Sequence, residues 1–310
     1  MIRGALAACA LLLAAACASD DVPPERYPRF EPLAKTPRVA LVLGSGGPRG
    51  FAHIGVLKVL EEQGLKPDLI VGSSVGALVG ALYADGYSAA ELEKMAYDVN
   101  LLKFFEWGML TRSRATGSAI QEYVNECLHG RTIEQLRIPF AAVVTHMPDK
   151  KLMLFTHGDA GLAVRASGAD QSQFLPVKIG NQTFIDGDVA SPVPIRAARE
   201  LGAQVVIAVD VSAYLEDTPP GVPEEWVTKD ERRAKQIREE APAADVLLHP
   251  NIGYYAGHDE SYRHHVIRVA EEYTRSRLDD VRAAFAHHGM RLQPAQAASN
   301  ARTPSGETSR

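Results

Sequence analysis

The apolar positions of this chain change period several times along its length. Val39 to Leu43 is a continuous apolar run closed by Gly44, the pattern of a strand buried on both faces. From Phe51 to Gln63 the spacing becomes helical, with Ile54, Leu57 and Leu60 on one side and a stop at Gly64. Leu69-Ile70-Val71 reads as a second strand, and Val75 to Ala84 as a helix of small residues. Ser88 and Glu91 have the spacing of a capping box and open another helix. Further strands are predicted at Pro139 to Thr145, Leu152 to Phe155, Gln204 to Val209 and Ala244 to Leu248. A hairpin is predicted over Val177 to Ile185, turning at Gly180-Asn181. Gly161 to Ser167 reads as the end of a helix, and helices are expected at Ile195 to Leu201 and, as one long element, Ser261 to Phe285. Strands alternating with helices predict an α/β fold, with a mainly parallel sheet covered by helices on both faces. Leu101 to Leu110 carries Phe104, Phe105, Trp107 and Met109; a core-packing helix is favoured there over a lipid-facing cap.

Both ends of the chain depart from this alternation. Met1-Ile2-Arg3 and the small apolar run Gly4 to Ala16 have the form of a signal peptide, too short for a permanent membrane span. Ala14-Ala15-Ala16-Cys17 resembles a bacterial lipobox, which makes Cys17 the candidate lipidation site and 1–17 the signal. Leu6-Ala7-Ala8-Cys9 fits the lipobox pattern better but leaves too short an apolar run before it. The expected location is therefore outside the cytoplasm, as a membrane-anchored lipoprotein facing the periplasm or as a secreted protein. Residues 18–37 are Pro-rich with alternating charges and read as an extended tether. Residues 38–288 then form the folded domain, and the polar stretch 289–310 a disordered tail. With 46% hydrophobic residues the chain has enough apolar side chains for a full core, and Cys127 is left without an internal disulfide partner. A formal charge of -5 argues against a nucleic-acid partner.

The chemistry concentrates at the ends of the first two strands. Gly72-Ser73-Ser74-Val75-Gly76 is a G-x-S-x-G motif between an expected strand and an expected helix. That placement lifts a serine hydroxyl out of a strained turn and aims a helix N-terminus at it. Gly44-Ser45-Gly46-Gly47-Pro48-Arg49-Gly50 follows the first strand and lets successive N–H groups converge on an oxyanion or a phosphate. The dinucleotide fingerprint fails there, because its sixth position is Arg49 instead of glycine. Arg49 either faces an anion or braces the loop, and bracing is favoured. A serine nucleophile needs a base. Asp186-Gly187 ends the hairpin, although by itself Asp-Gly is an ordinary turn signal.

Together the stretch Leu43 to Leu65, the elbow at Gly72 to Gly76 and Asp186-Gly187 resemble the patatin-like phospholipase family, in the family's order. The likeness runs from Arg38 to about Val211 and loosely over Ala244 to His265. It implies a three-layer α/β/α fold with a mainly parallel central sheet, and a Ser–Asp dyad without histidine. It further implies hydrolysis of acyl esters in phospholipids, lysophospholipids or neutral lipids. Carried over, Ser74 is the nucleophile and Asp186 the base. Gly46 and Gly47, with Arg49 beside them, form the oxyanion hole, and Gly72, Gly76 and Gly187 are the motif glycines. A lipid or acyl-ester substrate and a membrane surface are the implied partners. No cofactor is expected, and no H-E-x-x-H or Cys/His cluster with zinc spacing is present. Three positions depart from the family pattern. Ser45 replaces the first glycine of the loop, Asp188 adds a carboxylate after Asp186-Gly187, and Asp170-Gln171 replaces an apolar-Pro pair. A carboxylate beside the base should raise its proton affinity.

Two other readings compete. A Ser–Asp–His triad would draw its histidine from His258, His264 or His265, in the chain order of α/β-hydrolases. A non-catalytic lipid-binding or scaffold lipoprotein is the second. His53, close to the glycine loop, reads as helix packing.

Overall fold

The computed structural model describes residues 22–100, 103–104 and 114–293. The signal-like segment with Cys17 lies outside them, as does most of the Leu101 to Leu110 stretch, including Phe105, Trp107 and Met109. The elements run β1 (Val39–Leu43), α1 (Phe51–Glu62), β2 (Leu69–Ser73), α2 (Val75–Asp85), α3 (Ala89–Asp98), α4 (Ser118–Cys127), β3 (Phe140–Met147), β4 (Leu152–Phe155), α5 (Ala160–Ser167), β5 (Val177–Ile179), β6 (Gln182–Asp186), α6 (Ile195–Glu200), β7 (Val205–Val209), α7 (Glu224–Glu240), β8 (Val246–Leu248), α8 (Glu260–Ser276) and α9 (Leu278–His287).

The strands form one sheet in the order β5-β6-β3-β2-β1-β7-β8, with β4 also paired to β3. The run β3-β2-β1-β7-β8 is parallel throughout, while β4, β5 and β6 add antiparallel pairings at the β3 side. Parallel strands need crossovers, and the helices between them supply the two outer layers. Alternation along each strand separates two cores. Leu41, Leu43, Ile70, Phe140, Val144 and Ile207 face the larger one, which also takes the apolar sides of α1, α2, α5 and α8. Ala40, Val42, Val71, Val143 and Val206 face the smaller one, closed by Ile195 and Ala198 of α6 and Ile237 of α7. The three-layer α/β/α architecture is therefore visible in which residues pack together.

α1 lies directly against α8. A Cβ at Gly55 would stand 2.1 Å from the Ile267 carbonyl oxygen, so the absence of a side chain there sets how closely the two helices approach. The capping box at the start of α3 forms as expected, with Ser88 Oγ accepting from Glu91 N and the Glu91 carboxylate accepting from Ser88 N.

Four details differ from the sequence expectations. The long C-terminal helix breaks at Arg277 into α8 and α9. Thr274 Oγ1 donates to the Ala270 carbonyl and Ser276 Oγ to that of Tyr273, the kind of local bonding that competes with the helical ladder. The expected tether is docked along part of its length. Arg29 N donates to His157 O, Glu31 N to Thr156 Oγ1, and Arg26 pairs with the buried Asp159 carboxylate. Tyr27 and Pro28 pass so close to Gly158 that a Cβ there would meet the Tyr27 carbonyl at 2.6 Å. At the other end, Met290 and Leu292, placed in the tail by sequence, pack against the larger core. Finally, α4 and α7 are two helices the sequence reading did not place: α4 packs Ile120, Tyr123, Val124 and Cys127 on the core from one face, whereas α7 carries no strong apolar stripe.

Candidate active site

β3 brings the two halves of the site together. Its first half pairs with β2, Val143 opposite Ser73; its second half pairs with β6, Val144 opposite Asp186. Residues 112 apart in sequence thus meet at neighbouring positions of one strand, and Ser74 Oγ donates to Asp186 Oδ2 at 2.8 Å.

The turn at Ser74 is strained as a nucleophile elbow requires. Its φ of 55° and ψ of -122° lie where side chains are rarely found, a conformation that costs about 1–3 kcal/mol and must be enforced by its surroundings. Both motif glycines enforce it. A Cβ at Gly72 would stand 2.4 Å from Gly76 O, and one at Gly76 would stand 2.1 Å from Leu43 O and 2.7 Å from Gly44 O. Gly187 is equally confined, 2.4 Å from Val143 O and 2.8 Å from Ser73 Oγ by the same measure. Two residues that sequence reasoning did not single out complete the frame. Ser167 Oγ accepts from Ser74 N and donates to Val143 O, and Thr145 Oγ1 donates to Asp186 O. A hydroxyl in a helix or strand leaves no distinctive pattern, so neither was legible beforehand.

The glycine loop lies alongside. Gly44 N donates to Val209 O and Ser45 N to Pro192 O, which anchors the loop to β7 and to the segment before α6. Among the described residues the N–H groups of Gly46 and Gly47 donate to no hydrogen-bond partner, and both residues line the same cavity as Ser74 and Asp186. Gly47 has φ 55°, the left-handed conformation that glycine tolerates and that turns successive N–H groups to one side. Arg49 donates to the Tyr254 carbonyl, so its side chain braces the loop against the β8–α8 connection while lining the cavity. His53 is fully buried with Nε2 on the Gly44 carbonyl, 2.9 Å away. Burial pushes its pKa down to about 4, so it stays neutral and donates to that oxygen.

Asp186 is buried, and burial raises its pKa to about 7, with the negative charge of Asp188 as the next cause. The Asp188 N–H, donating to Asp186 Oδ1 at 2.8 Å, works in the opposite direction. Burial should raise Asp188 as well, yet Arg233 and Ser45 hold its carboxyl far below the usual range. Arg233 Nε reaches Asp188 Oδ1 at 2.6 Å and Arg232 Nη2 reaches Oδ2 at 2.6 Å. Among the described residues no histidine hydrogen-bonds to Ser74. His264 stacks on Tyr97, and it lines a separate hollow together with His265. His258 lines the main cavity without a hydrogen bond to Ser74.

The cavity measures about 620 Å³, within the range of sites for medium-sized ligands. Its polar end holds Ser74, Asp186 and the glycine loop; its far wall is apolar, with Leu78, Leu82, Leu92, Met95, Val99 and Ile120. A hydroxyl with a buried carboxylate on one side and free N–H groups nearby, opening onto an apolar channel, suits attack on the carbonyl of a hydrophobic ester.

Comparison with known proteins agrees with this layout. A family model described as patatin-like phospholipase matches residues 41–199. An NTE family protein of Mycobacterium tuberculosis is 31% identical over 220 residues, covering 69% of this chain and 61% of that protein. Human patatin-like phospholipase domain-containing protein 6 is 34% identical over 201 residues, 61% of this chain and 14% of that much longer protein. The chain thus spans about three fifths of the length of its mycobacterial relatives. Among solved structures, the type III effector ExoU aligns over 79% of this chain and 53% of its own, at 17% identity and a TM-score of 0.48. The elbow, the glycine loop and the Asp-Gly turn all fall inside the matched span, and the chain belongs to the patatin-like phospholipase family.

Proposed function

We propose that the protein is a lipid acyl hydrolase that works through a Ser74–Asp186 dyad. The observation that carries this reading is the 2.8 Å hydrogen bond from a strained elbow serine to a buried carboxylate at the mouth of an apolar cavity. Asp186 takes the hydroxyl proton as Ser74 Oγ attacks the ester carbonyl. The negative charge that develops on the carbonyl oxygen is met by the Gly46 and Gly47 N–H groups, each such donor being worth about a hundred- to a thousandfold in rate. The protonated Asp186 then gives its proton to the departing alcohol, leaving an acyl-Ser74 ester. Water, deprotonated by Asp186, attacks that ester; the fatty acid leaves, Asp186 returns its proton to Ser74 Oγ, and the free enzyme is restored. The acyl chain lies along the apolar wall formed by α2, α3 and Val99, with Ile120 of α4. Export, with anchoring through Cys17, places the site near lipid surfaces.

The test is hydrolysis of p-nitrophenyl esters of increasing acyl length, and of phospholipid vesicles, by wild type beside Ser74→Ala. Longer chains are expected to raise kcat/KM until the apolar wall is filled, with Ser74→Ala inactive on all of them. Wild type that binds vesicles yet hydrolyses no ester would favour a lipid-binding lipoprotein.

A pH dependence follows. The base must be ionised to accept a proton, so kcat/KM is expected to rise with pH through a single midpoint near 7, the value to which burial raises Asp186. A midpoint near 4 would mean that Asp186 is solvated in the free enzyme.

A further inference from the structure

Two of the departures from the family pattern touch one another. Ser45 Oγ donates to Asp188 Oδ1, and both side chains are buried. The same carboxylate takes Arg233 Nε and Arg232 Nη2 from α7, a helix that lies beyond the span matched by the family model. Arg232 also donates to the carbonyls of Asp188 and Val189. The third departure, Asp170, is held by Lys229 of the same helix at 2.7 Å. Asp188 therefore stands at a crossing. Its N–H holds one oxygen of Asp186, its carboxylate holds the first hydroxyl of the glycine loop, and two arginines fix the carboxylate itself.

We infer that Asp188 is a positioning residue: tied to Arg232 and Arg233 of α7, it holds Asp186 and the glycine loop in one frame, so that α7 completes the site. This rests on the proposed dyad. A glycine or alanine at position 188 would keep the N–H contact to Asp186 but would leave the loop and α7 without their common partner. Ser45 in place of glycine is then matched to Asp188, since its hydroxyl gives the loop an anchor that a glycine lacks. The charges facing Asp186 are Asp170 after α5, Asp188 on its own turn and Arg233 from α7, with Ser74 as its hydrogen-bond donor; Lys229 and Arg232 act on it through Asp170 and Asp188.

The test combines two readouts on the full chain. The first is the pH profile of p-nitrophenyl ester hydrolysis. The second is a carboxyl 13C NMR titration of aspartate-labelled protein, with Asp186 assigned by its loss in Asp186→Asn. Asp188→Asn removes a negative charge and frees two guanidinium groups close to the base. It is expected to move both the activity midpoint and the Asp186 titration to lower pH by about one unit or more, and to lower the plateau. Ser45→Ala is expected to lower the plateau without moving the midpoint, and to add little on top of Asp188→Asn because the two act through one contact. Arg233→Lys keeps the charge and loses the fixed Nε contact, so its plateau should fall with the midpoint in place. If Asp188→Asn does not fold, the Ser45→Ala and Arg233→Lys plateaus decide: a wild-type plateau in both contradicts the inference. An Asp186 titration that stays put in Asp188→Asn, with activity reduced equally at every pH, also overturns it. A wild type that hydrolyses nothing while Asp186 still shifts in Asp188→Asn would leave the positioning role standing and remove the dyad reading.

Discussion

Asp186→Asn is expected to reduce ester hydrolysis by about a hundred- to ten-thousandfold, the range over which a positioned base contributes, while the protein melts at the same or a higher temperature. The two effects have opposite signs for one reason. The amide fills the same space, its oxygen still accepting from the Asp188 N–H and its NH2 donating to Ser74 Oγ, but it cannot take a proton. The native carboxylate is buried beside Asp188, which raises its pKa above that of an unfolded aspartate. A carboxyl with a raised folded-state pKa contributes stability below the unfolded value, near pH 4, and loses it as pH rises through about 7. At pH 8 the wild type thus carries an ionised group that its surroundings disfavour, and asparagine removes it. Thermal melts at pH 5 and pH 8 check this, with Asp186→Asn gaining more, relative to wild type, at pH 8. A melting temperature that falls equally at both would mean that the carboxylate is structural instead of poised for proton transfer.

Gly76→Ala should be among the most damaging single changes outside the dyad. The new Cβ would stand 2.1 Å from the Leu43 carbonyl oxygen, and both neighbours are backbone at the end of β1 and the start of the glycine loop. No rotamer change relieves such a clash, so β1, the loop or α2 must move. The expected cost is about 3 kcal/mol or more, at the upper end of overpacking penalties and a large share of a typical domain's 5–15 kcal/mol. Because the elbow and the loop are displaced together, activity should be lost even in the fraction that remains folded. Chemical denaturation with specific activity measured on the folded fraction tests both halves. A variant with wild-type stability would mean that the strand and helix are less closely apposed than the structure has them.

Much of this was legible in the chain, and the reason is local. Val39 to Leu43 announces a doubly buried strand, Gly72 to Gly76 an elbow, and Ser88 with Glu91 a helix start, because each depends on neighbours a few residues away. The Ser74–Asp186 pairing depended on the family resemblance, since nothing local places residue 186 beside residue 74; β3 does that through its register with β2 and β6. α7 was not legible at all. Only Arg233 and Ile237 are buried along its 17 residues, so it has no apolar stripe to read. It is fixed by side-chain partners far away in sequence: Asp170, Asp188 and the Val189 and Ala190 carbonyls. Its signal was present only in the acidic first turn, Glu224-Glu225, and in Arg238 near its end. The docked segment at Arg26 to Glu31 was hidden for the same reason, its partners being Thr156, His157 and Asp159. The unusual residues at 45, 170 and 188 looked like separate departures in sequence, and the structure joins them through one helix.

The central claim is that Ser74 is the nucleophile. The direct measurement is reaction with a fluorophosphonate, which phosphonylates activated serines, followed by mass-spectrometric mapping of the adduct. A single adduct on Ser74, absent in Ser74→Ala and formed much more slowly in Asp186→Asn but at the wild-type rate in His264→Ala, is the predicted result. An adduct on another residue, or ester hydrolysis that persists in Ser74→Ala, would contradict it.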